Sequence, residues 1–230
     1  MKNLSIANHP RTDRLIAIEG AIGVGKTSLG RLLSNKWKAP CHFEVFEDNP
    51  FLTGGFYENK KGLAFNTEVF FLLSRFRQQR ELLKSTGLQL IDYFFEKNLL
   101  FASLNLDESD LQTYKAVYDQ LIGQIRTPDL VIYLKADVET LLKRIYFRDR
   151  QFERSISSQY VDKLIQSYHR FFQTYALAPV VTIDVSGMDF VSNTEDLRRI
   201  SAMVQDRLSG QVQLSLNRQA VHRNEVFLGG

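Results

Sequence analysis

A glycine-rich turn near the start of the chain carries the pattern most directly tied to a chemistry. An apolar run over residues 15–18 leads into glycines, a lysine and a hydroxyl residue, and a helical pattern follows. This is the G-x-x-x-x-G-K-[ST] phosphate-binding loop in its strand–loop–helix context. The glycines let backbone N–H groups converge on phosphate oxygens, and the helix points its positive end at the same place. We expect a nucleotide to be held by Gly20, Ala21, Ile22, Gly23, Val24, Gly25, Lys26 and Thr27.

Three residues in and near this loop have separable expected roles. Lys26 is predicted to provide a mobile cation for the β- and γ-phosphates, and Thr27 to offer its hydroxyl to Mg²⁺. Asp92 directly follows the predicted third strand. An acid at this position is expected to hold Mg²⁺ through water. A turn or helix cap is the other interpretation of an aspartate at such a place.

Three arginines further along the chain could clamp a transferring phosphoryl group. Arg144 and Arg148 are four residues apart and therefore share a helix face, and Arg150 lies just beyond them. Guanidinium groups near a phosphate loop stabilise the charge of a phosphoryl group in transfer. The alternative is a solvated helix end, where arginines also favour the negative end of the dipole. The phosphate loop upstream favours the clamp.

A carboxylate after the second predicted strand is a candidate base. Glu47 and Asp48 follow that strand, and a carboxylate there can take a proton from an attacking hydroxyl, a contribution of roughly 10²–10⁴ in rate. We favour Glu47 over Asp48 for this role. A turn or cap is again the structural alternative.

The elements that must position these residues alternate between strands and helices. Near-continuous apolar runs predict strands that are covered on both faces, as in a parallel sheet, and the alternation implies a three-layer α/β fold with a five-stranded parallel sheet and helices on both faces. Ligands gather at the carboxyl ends of such strands. The predicted strands are residues 15–18, 42–46, 88–91, 130–134 and 180–185. The predicted helices are residues 26–37, 64–83, 94–104, 108–125, 138–148, 158–175 and 194–208.

Length and composition are typical of one globular nucleotide-binding domain. The chain has 230 residues, a formal net charge of +3 and one cysteine, Cys41. The small basic surplus argues against a nucleic-acid polymer as partner, and a single cysteine fits a reducing compartment. No apolar stretch is long enough to span a membrane. We expect a flexible leader at residues 1–13, a domain at 14–208, a tail at 209–230 and a cytoplasmic location.

The combination of motifs resembles the deoxynucleoside kinases, most closely their bacterial deoxyadenosine/deoxyguanosine kinase branch. The resemblance covers roughly residues 14–208 and rests on the phosphate loop, the turn at Glu47, residues 64–75 and the spacing of Arg144, Arg148, Arg150 and Glu153. It implies transfer of the γ-phosphate of ATP, with Mg²⁺, to the 5′-hydroxyl of a deoxynucleoside for nucleotide salvage. It also implies a homodimer, a base at Glu47 and an arginine-rich lid that carries the three arginines.

The same resemblance implies residues that hold the acceptor. Tyr57 and Glu153 would bind the sugar 3′-hydroxyl, and Glu68 and Arg75 would contact the nucleobase from the third helix. Aromatic side chains around the base would include Phe51, Phe65 and Phe95, although core packing is the expected role of most of the 17 phenylalanines.

The chain departs from the family pattern at two points. The family often has an arginine directly after the acid that ends strand three, whereas Tyr93 and Phe94 follow Asp92, and Lys97 could compensate. Glu68 stands where glutamine is usual. An ionised carboxylate only accepts hydrogen bonds, and among the bases guanine alone presents two adjacent donors. With Arg75 at the O6 acceptor, this predicts a preference for deoxyguanosine over other purines.

Two other functions share much of this pattern. A nucleoside monophosphate kinase such as thymidylate kinase has a phosphate loop and an arginine lid, but its acceptor needs a second anion site, and the turn at Glu47 is acidic. A catalytically silent nucleotide-binding subunit is the other alternative. The presence of Lys26, Thr27, Glu47 and the three arginines argues against it.

Overall fold

A parallel β-sheet of five strands forms the centre of the structure, a computed structural model that describes residues 13–45, 49–53 and 60–226. The strands are β1 (Arg14–Gly20), β2 (Cys41–His42), β3 (Leu88–Ile91), β4 (Leu130–Lys135) and β5 (Val180–Asp184). Their order across the sheet is β2-β3-β1-β4-β5, and all four pairings are parallel. The predicted five-stranded parallel sheet is confirmed.

Helices connect the strands in the expected alternation. They are α1 (Lys26–Trp37), α2 (Pro50–Thr53), α3 (Lys60–Leu82), α4 (Lys97–Asn105), α5 (Glu108–Ile122), α6 (Val138–Arg148), α7 (Ser158–Thr174) and α8 (Thr194–Val226). The bounds of α1 and α6 are those predicted, whereas α8 continues past Leu208, where the predicted helix ends. The side chains of Asp107, Asp137 and Ser157 accept hydrogen bonds from backbone N–H groups in the first turns of α5, α6 and α7, which explains where these helices begin.

Both faces of the sheet are covered. Every residue of β1 is buried, and the side chains of residues 15–18 alternate between two apolar clusters. Ile16 packs in the cluster that includes Leu33 of α1, and Leu15 packs in the cluster that includes Leu82 of α3. A central strand enclosed by helices on both sides explains the near-continuous apolar runs of the sequence.

The end of β2 differs from the prediction in a way that bears on the site. The strand was predicted over residues 42–46, but it ends at His42, which pairs with Ile91 of β3. Residues 43–45, which follow it, are not part of the sheet. Glu44 therefore lies beyond the carboxyl end of a strand rather than inside one.

Several expectations concern residues outside those that the structure describes. Most of the predicted leader lies there, as do Glu47, Asp48 and Tyr57. The division into leader, domain and tail remains a prediction. Within the described ranges, no helix is both long and apolar enough to cross a membrane.

Candidate active site

One large cleft, of about 1240 Å³, lies where the carboxyl ends of the strands meet. It brings together the phosphate loop, the segment after β2, the middle of α3 and the end of α6. The predicted site residues that line it are Ile22, Gly23, Gly25, Lys26, Thr27, Glu68, Arg75, Asp92, Arg144, Arg148, Arg150 and Glu153. Glu44 and Lys97 line it as well, and neither was among the predicted site residues.

The phosphate loop occupies one end of the cleft and needs its glycines. A Cβ atom added to Gly20 would lie 2.2 Å from the backbone oxygen of Leu134, so no other residue fits there. Gly25 has φ +106°, a left-handed conformation that side chains disfavour, and it directly precedes α1. The loop and the helix N-terminus thus form the cradle of backbone N–H groups that phosphate binding requires.

Lys26 is held inside this loop by backbone carbonyl groups. Its Nζ donates to the carbonyl oxygens of Gly20 at 2.6 Å and Ala21 at 3.3 Å, and lies 3.8 Å from Oε1 of Glu19. Burial lowers the pKa of the Lys26 ammonium, and the negative charge of Glu19 opposes that effect. Because carbonyl groups are its nearest partners, the ammonium can turn to a phosphate without breaking a close ion pair.

Thr27 and Asp92 form a pair of oxygen ligands beside the loop. The Thr27 hydroxyl donates to Oδ2 of Asp92 at 2.6 Å, and the backbone N–H of Glu44 donates to Oδ1 at 2.6 Å. Burial raises the pKa of Asp92, and the Thr27 hydrogen bond opposes it. The described part of the chain has no group of three or more His, Cys, Asp or Glu side chains that could hold a metal. A hydroxyl and one carboxylate fit Mg²⁺, which takes few protein ligands and completes its shell with phosphates and water.

Glu44 is the most strongly engaged carboxylate of the cleft. Its Oε1 accepts from Nε of Arg75 at 2.6 Å, and its Oε2 accepts from Nζ of Lys97 at 2.8 Å. Burial would raise the pKa of Glu44, but the charges of Arg75 and Lys97 outweigh it and lower the pKa to about 2. Glu44 is therefore an ionised carboxylate that is fixed on the wall of the cleft.

The sequence pattern did hold a signal for Glu44. Polar residues after the carboxyl end of a parallel strand are the ones to examine for function, and Glu44 is the first acid after β2. It was missed because Phe43 and Val45 extend the apolar run, so that the predicted strand reached residue 46 and Glu44 fell within it.

Arg75 and Glu68 line the same cleft but have different partners. Arg75 donates hydrogen bonds to the carboxylate of Glu44 and to the side-chain oxygen of Asn98, and its guanidinium lies 4.7 Å from the ring centre of Phe71. Glu68 is buried and accepts from Nδ2 of Asn105 at 2.7 Å. Both residues lie on α3, seven residues apart, and reach one cavity.

The aromatic side chains expected around the nucleobase have mixed positions. Phe95 is almost fully buried and stacks on Tyr118 with ring centres 5.5 Å apart, and Phe65 packs against the same cluster. Phe71, one turn before Arg75, lines the cleft instead. Core packing explains Phe65 and Phe95, as expected for most phenylalanines of the chain.

The three arginines near the end of α6 do not form one free clamp in this structure. Arg144 donates to the backbone oxygens of Val24 at 3.1 Å and of Met188 at 2.8 Å, and so braces the phosphate loop against the segment after β5. Arg148 pairs with Glu153 at 2.6 Å, and Arg150 lies 3.7 Å from the same carboxylate. Glu153 thus holds two arginines at the rim of the cleft.

The residues after Asp92 show what stands in place of the missing arginine. Tyr93 and Phe94 are buried in the apolar cluster on one face of the sheet. Lys97, at the start of α4, is buried too, and its ammonium points into the cleft at Glu44. A cation does therefore enter the cleft from this segment, from Lys97, four residues after Tyr93.

Comparisons with known proteins agree on one family. The deoxynucleoside kinase family model matches residues 16–209. A deoxyguanosine kinase of Bacillus subtilis (strain 168) is 39% identical over 203 residues, which cover 85% of this chain and 98% of that protein. A deoxyadenosine kinase of Dictyostelium discoideum is 34% identical, over 81% of this chain and 78% of that protein. The solved structure of a deoxyadenosine kinase from M. mycoides has the same fold, with a TM-score of 0.74 at 23% identity over 85% of this chain and 99% of that chain.

Proposed function

The chain belongs to the deoxynucleoside kinase family and is a phosphotransferase, and we propose that it transfers the γ-phosphate of ATP to the 5′-hydroxyl of a purine deoxynucleoside, with deoxyguanosine preferred, for nucleotide salvage. One observation carries the proposal: a single cleft contains a phosphate loop at one end and, at the other, the half-buried carboxylate of Glu44 and the buried carboxylate of Glu68. The first end suits a nucleoside triphosphate and the second a neutral acceptor that offers hydrogen-bond donors.

The donor end would bind the phosphates of ATP. Backbone N–H groups of the loop contact phosphate oxygens, and Lys26 moves from the Gly20 carbonyl to the β- and γ-phosphates. Thr27 and Asp92 would hold Mg²⁺, which when bound supplies positive charge to the phosphate oxygens. Arg144 keeps the loop in place through Val24.

At the acceptor end we assign the base to Glu44. The nucleoside 5′-hydroxyl attacks the γ-phosphorus, its proton passes to the Glu44 carboxylate, and ADP leaves with the electron pair of the broken P–O bond. The ion pairs with Arg75 and Lys97 support this assignment, because they keep the carboxylate ionised and fixed. Glu47, the base that the resemblance implies, stays the competing candidate, and the two make different predictions for mutants.

The rim of the cleft would close over the phosphates. Arg148 and Arg150 already lie beside one carboxylate, Glu153, and a triphosphate is a stronger competing anion for both guanidinium groups. Release of Glu153 would leave it available to the sugar 3′-hydroxyl, together with Tyr57. The segment that follows Arg148 then acts as the arginine-rich lid.

The preference for deoxyguanosine rests on Glu68. Its carboxylate already accepts a hydrogen bond from the side-chain amide of Asn105, and this contact supports an acceptor role for Glu68 in the cleft. The N1–H and 2-amino groups of guanine are two hydrogen-bond donors side by side. In adenine N1 is an acceptor, and it would face the carboxylate oxygens, which are acceptors too. We assign Arg75 mainly to Glu44, because its guanidinium is engaged there.

The same wall argues against a monophosphate as acceptor. An acceptor phosphate would face the carboxylates of Glu44 and Glu68, which repel it, and both flanking cations of Glu44 are already paired. A neutral nucleoside carries no such cost.

We propose further that the protein is a cytoplasmic homodimer. The single cysteine supports a reducing compartment. The resemblance to a family that dimerises through helices supports the dimer, and sedimentation equilibrium would measure its mass.

Purified protein, MgATP and each of the four deoxynucleosides in turn would test the function. We expect ADP and a deoxynucleoside 5′-monophosphate to form with a purine, and kcat/KM to be highest for deoxyguanosine. Thymidine monophosphate and deoxyguanosine monophosphate serve as competing acceptors. Transfer to a monophosphate but not to a nucleoside would refute the proposal, and so would the absence of transfer to any of the six compounds.

A further inference from the structure

Glu19 is a fully buried carboxylate that none of the roles above uses. It occupies the last position but one of β1, directly before the first glycine of the phosphate loop, and its exposed fraction is 0%. An isolated ionised carboxylate so deep in a protein is strongly unfavourable unless cations or hydrogen-bond donors surround it. Its surroundings therefore indicate what the group is for.

The two oxygens of Glu19 have unequal environments. Oε1 accepts from the backbone N–H of Gly20 at 2.8 Å and from the hydroxyl of Tyr168 at 2.9 Å. Oε2 accepts no hydrogen bond from any described residue. The carboxylate is thus anchored through one oxygen, while the other stays available.

The available oxygen faces Lys97. Oε2 of Glu19 lies 3.7 Å from Nζ of Lys97, just beyond a hydrogen bond, while the same ammonium contacts Oε2 of Glu44 at 2.8 Å. Lys97 therefore lies between the buried carboxylate of Glu19 and the half-buried carboxylate of Glu44, and is hydrogen-bonded to Glu44. A small movement of a flexible side chain would exchange its partner.

Binding of the acceptor favours such an exchange. Glu44 has both oxygens engaged, one by Arg75 and one by Lys97, so a nucleoside hydroxyl that donates to the carboxylate competes with these cations, and the proton that it transfers removes the charge that holds them. Arg75 is further held by Asn98, whereas Lys97 has a second carboxylate within reach. Lys97 is therefore the cation that can move away from Glu44.

We propose that Glu19 is a positioning residue that receives Lys97 when the acceptor hydroxyl binds Glu44. This inference rests on the proposed function. Lys97 stays in the cleft as a fixed cation, close to the carboxylate that takes the proton and to the phosphoryl group in transfer. Without Glu19, Lys97 has no alternative partner and remains on Glu44.

A double-mutant cycle with Glu19→Gln and Lys97→Met tests this. Glutamine keeps an oxygen for Gly20 and Tyr168 but removes the charge, and methionine keeps the length of the lysine side chain. We expect kcat to fall about tenfold for Glu19→Gln and about 10²-fold for Lys97→Met, with KM for ATP and nucleoside within about threefold. The double variant should be no slower than Lys97→Met alone, because Glu19 acts through Lys97.

Tyr168→Phe is the matched control, since it removes a donor to Glu19 and leaves the charge. If Glu19 merely supports the loop through its hydrogen bonds, Tyr168→Phe should lower kcat while Glu19→Gln has little effect, and losses in the double variant should add. Either result overturns the proposal. If Glu19→Gln does not fold, the Lys97→Met variant alone tests the proposal. A kcat of Lys97→Met equal to that of the wild type would then overturn it. Wild-type protein without transfer to any deoxynucleoside would instead refute the proposed function.

Discussion

The two ends of the cleft are built in different ways. The donor end comes from one contiguous loop, and its main contacts are backbone groups: the N–H cradle and the carbonyls that hold Lys26. The acceptor end comes from the segment after β2, from α3 and from α4, and its contacts are ion pairs between side chains such as Glu44 and Lys97. The first end can be recognised from a short motif, and the second exists only once the chain has folded.

The difference also appears in the charges. At the donor end the nearest partners of Lys26 are carbonyl oxygens, and the carboxylate of Glu19 lies further away. The charge of Lys26 is therefore available to a ligand. At the acceptor end Glu44 is paired with two cations, so a ligand that binds Glu44 competes with cations that are already in place.

The largest expected effect is at the donor end. Lys26→Ala should lower kcat by about 10³-fold or more, because the phosphoryl transition state is stabilised mainly by positioned charge. The fold should persist, since the loop is shaped by its glycines and not by the lysine. Transfer rates and circular dichroism would be compared with Lys36→Ala, an exposed residue of the same helix. Activity near wild type in Lys26→Ala would exclude this loop as the donor site.

The next effect separates the two candidate bases. Glu44→Gln should lower kcat by about 10² or more with little change in nucleoside affinity, because glutamine cannot take the hydroxyl proton. Glu47→Gln should then leave kcat within a few-fold of wild type. The reverse outcome would return the base to Glu47. A change confined to KM in Glu44→Gln would make Glu44 a binding residue.

The alternation of strands and helices, the phosphate loop and the bounds of α1 and α6 could be predicted because each depends on a local pattern. The end of β2 could not, because its length is decided by pairing with β3 and not by the apolar character of Phe43 and Val45. The place of Lys97 depends on residues 19, 44 and 97 meeting in space, which no spacing along the chain reveals. The donor end is therefore the part that the sequence determines locally.

A third prediction concerns the rim, which both ends share. Arg148→Ala should slow transfer by about 10–10²-fold, as expected when one guanidinium is lost from a phosphoryl clamp. Arg154→Ala is the matched control, because Arg154 is exposed and pairs with Asp149 outside the cleft. Equal rates in wild type and Arg148→Ala, with Arg154→Ala also unchanged, would remove the lid from the mechanism.

A smaller effect concerns the choice of nucleobase. Glu68→Gln should lower the ratio of kcat/KM for deoxyguanosine over deoxyadenosine by about tenfold, since an amide offers one donor and one acceptor where the carboxylate offers only acceptors, a difference of about 1–3 kcal/mol. Both substrates are measured in both proteins, so that any general loss of activity cancels. An unchanged ratio, or a wild type that prefers deoxyadenosine, would show that Glu68 does not select the base.

The smallest effect concerns another buried carboxylate, Glu96. Glu44 in the cleft has cationic neighbours, whereas Glu96 is flanked by Glu19, Tyr118 and Tyr175. Burial, with a further contribution from Glu19, raises the pKa of Glu96 to about 7 from an ordinary value of 4.5. Between these two pH values the folded state binds more protons than the unfolded chain, so the free energy of unfolding decreases as pH rises and remains reduced above pH 7.

Glu96→Gln removes this titration and keeps the shape of the side chain. We therefore expect the variant to be more stable than wild type at pH 8, by about 1–3 kcal/mol, and close to wild type at pH 4, where the Glu96 carboxyl is neutral in the folded state and mostly so in the unfolded chain. At about 2–4 °C per kcal/mol, thermal unfolding would resolve the difference. Glu81→Gln, at an exposed ion pair with Lys84, should show no comparable change between the two pH values. If the stability difference between Glu96→Gln and wild type were the same at pH 4 and pH 8, Glu96 would act through packing and not through its charge. The contrast between Glu96 and Glu44 would then not depend on their cationic partners.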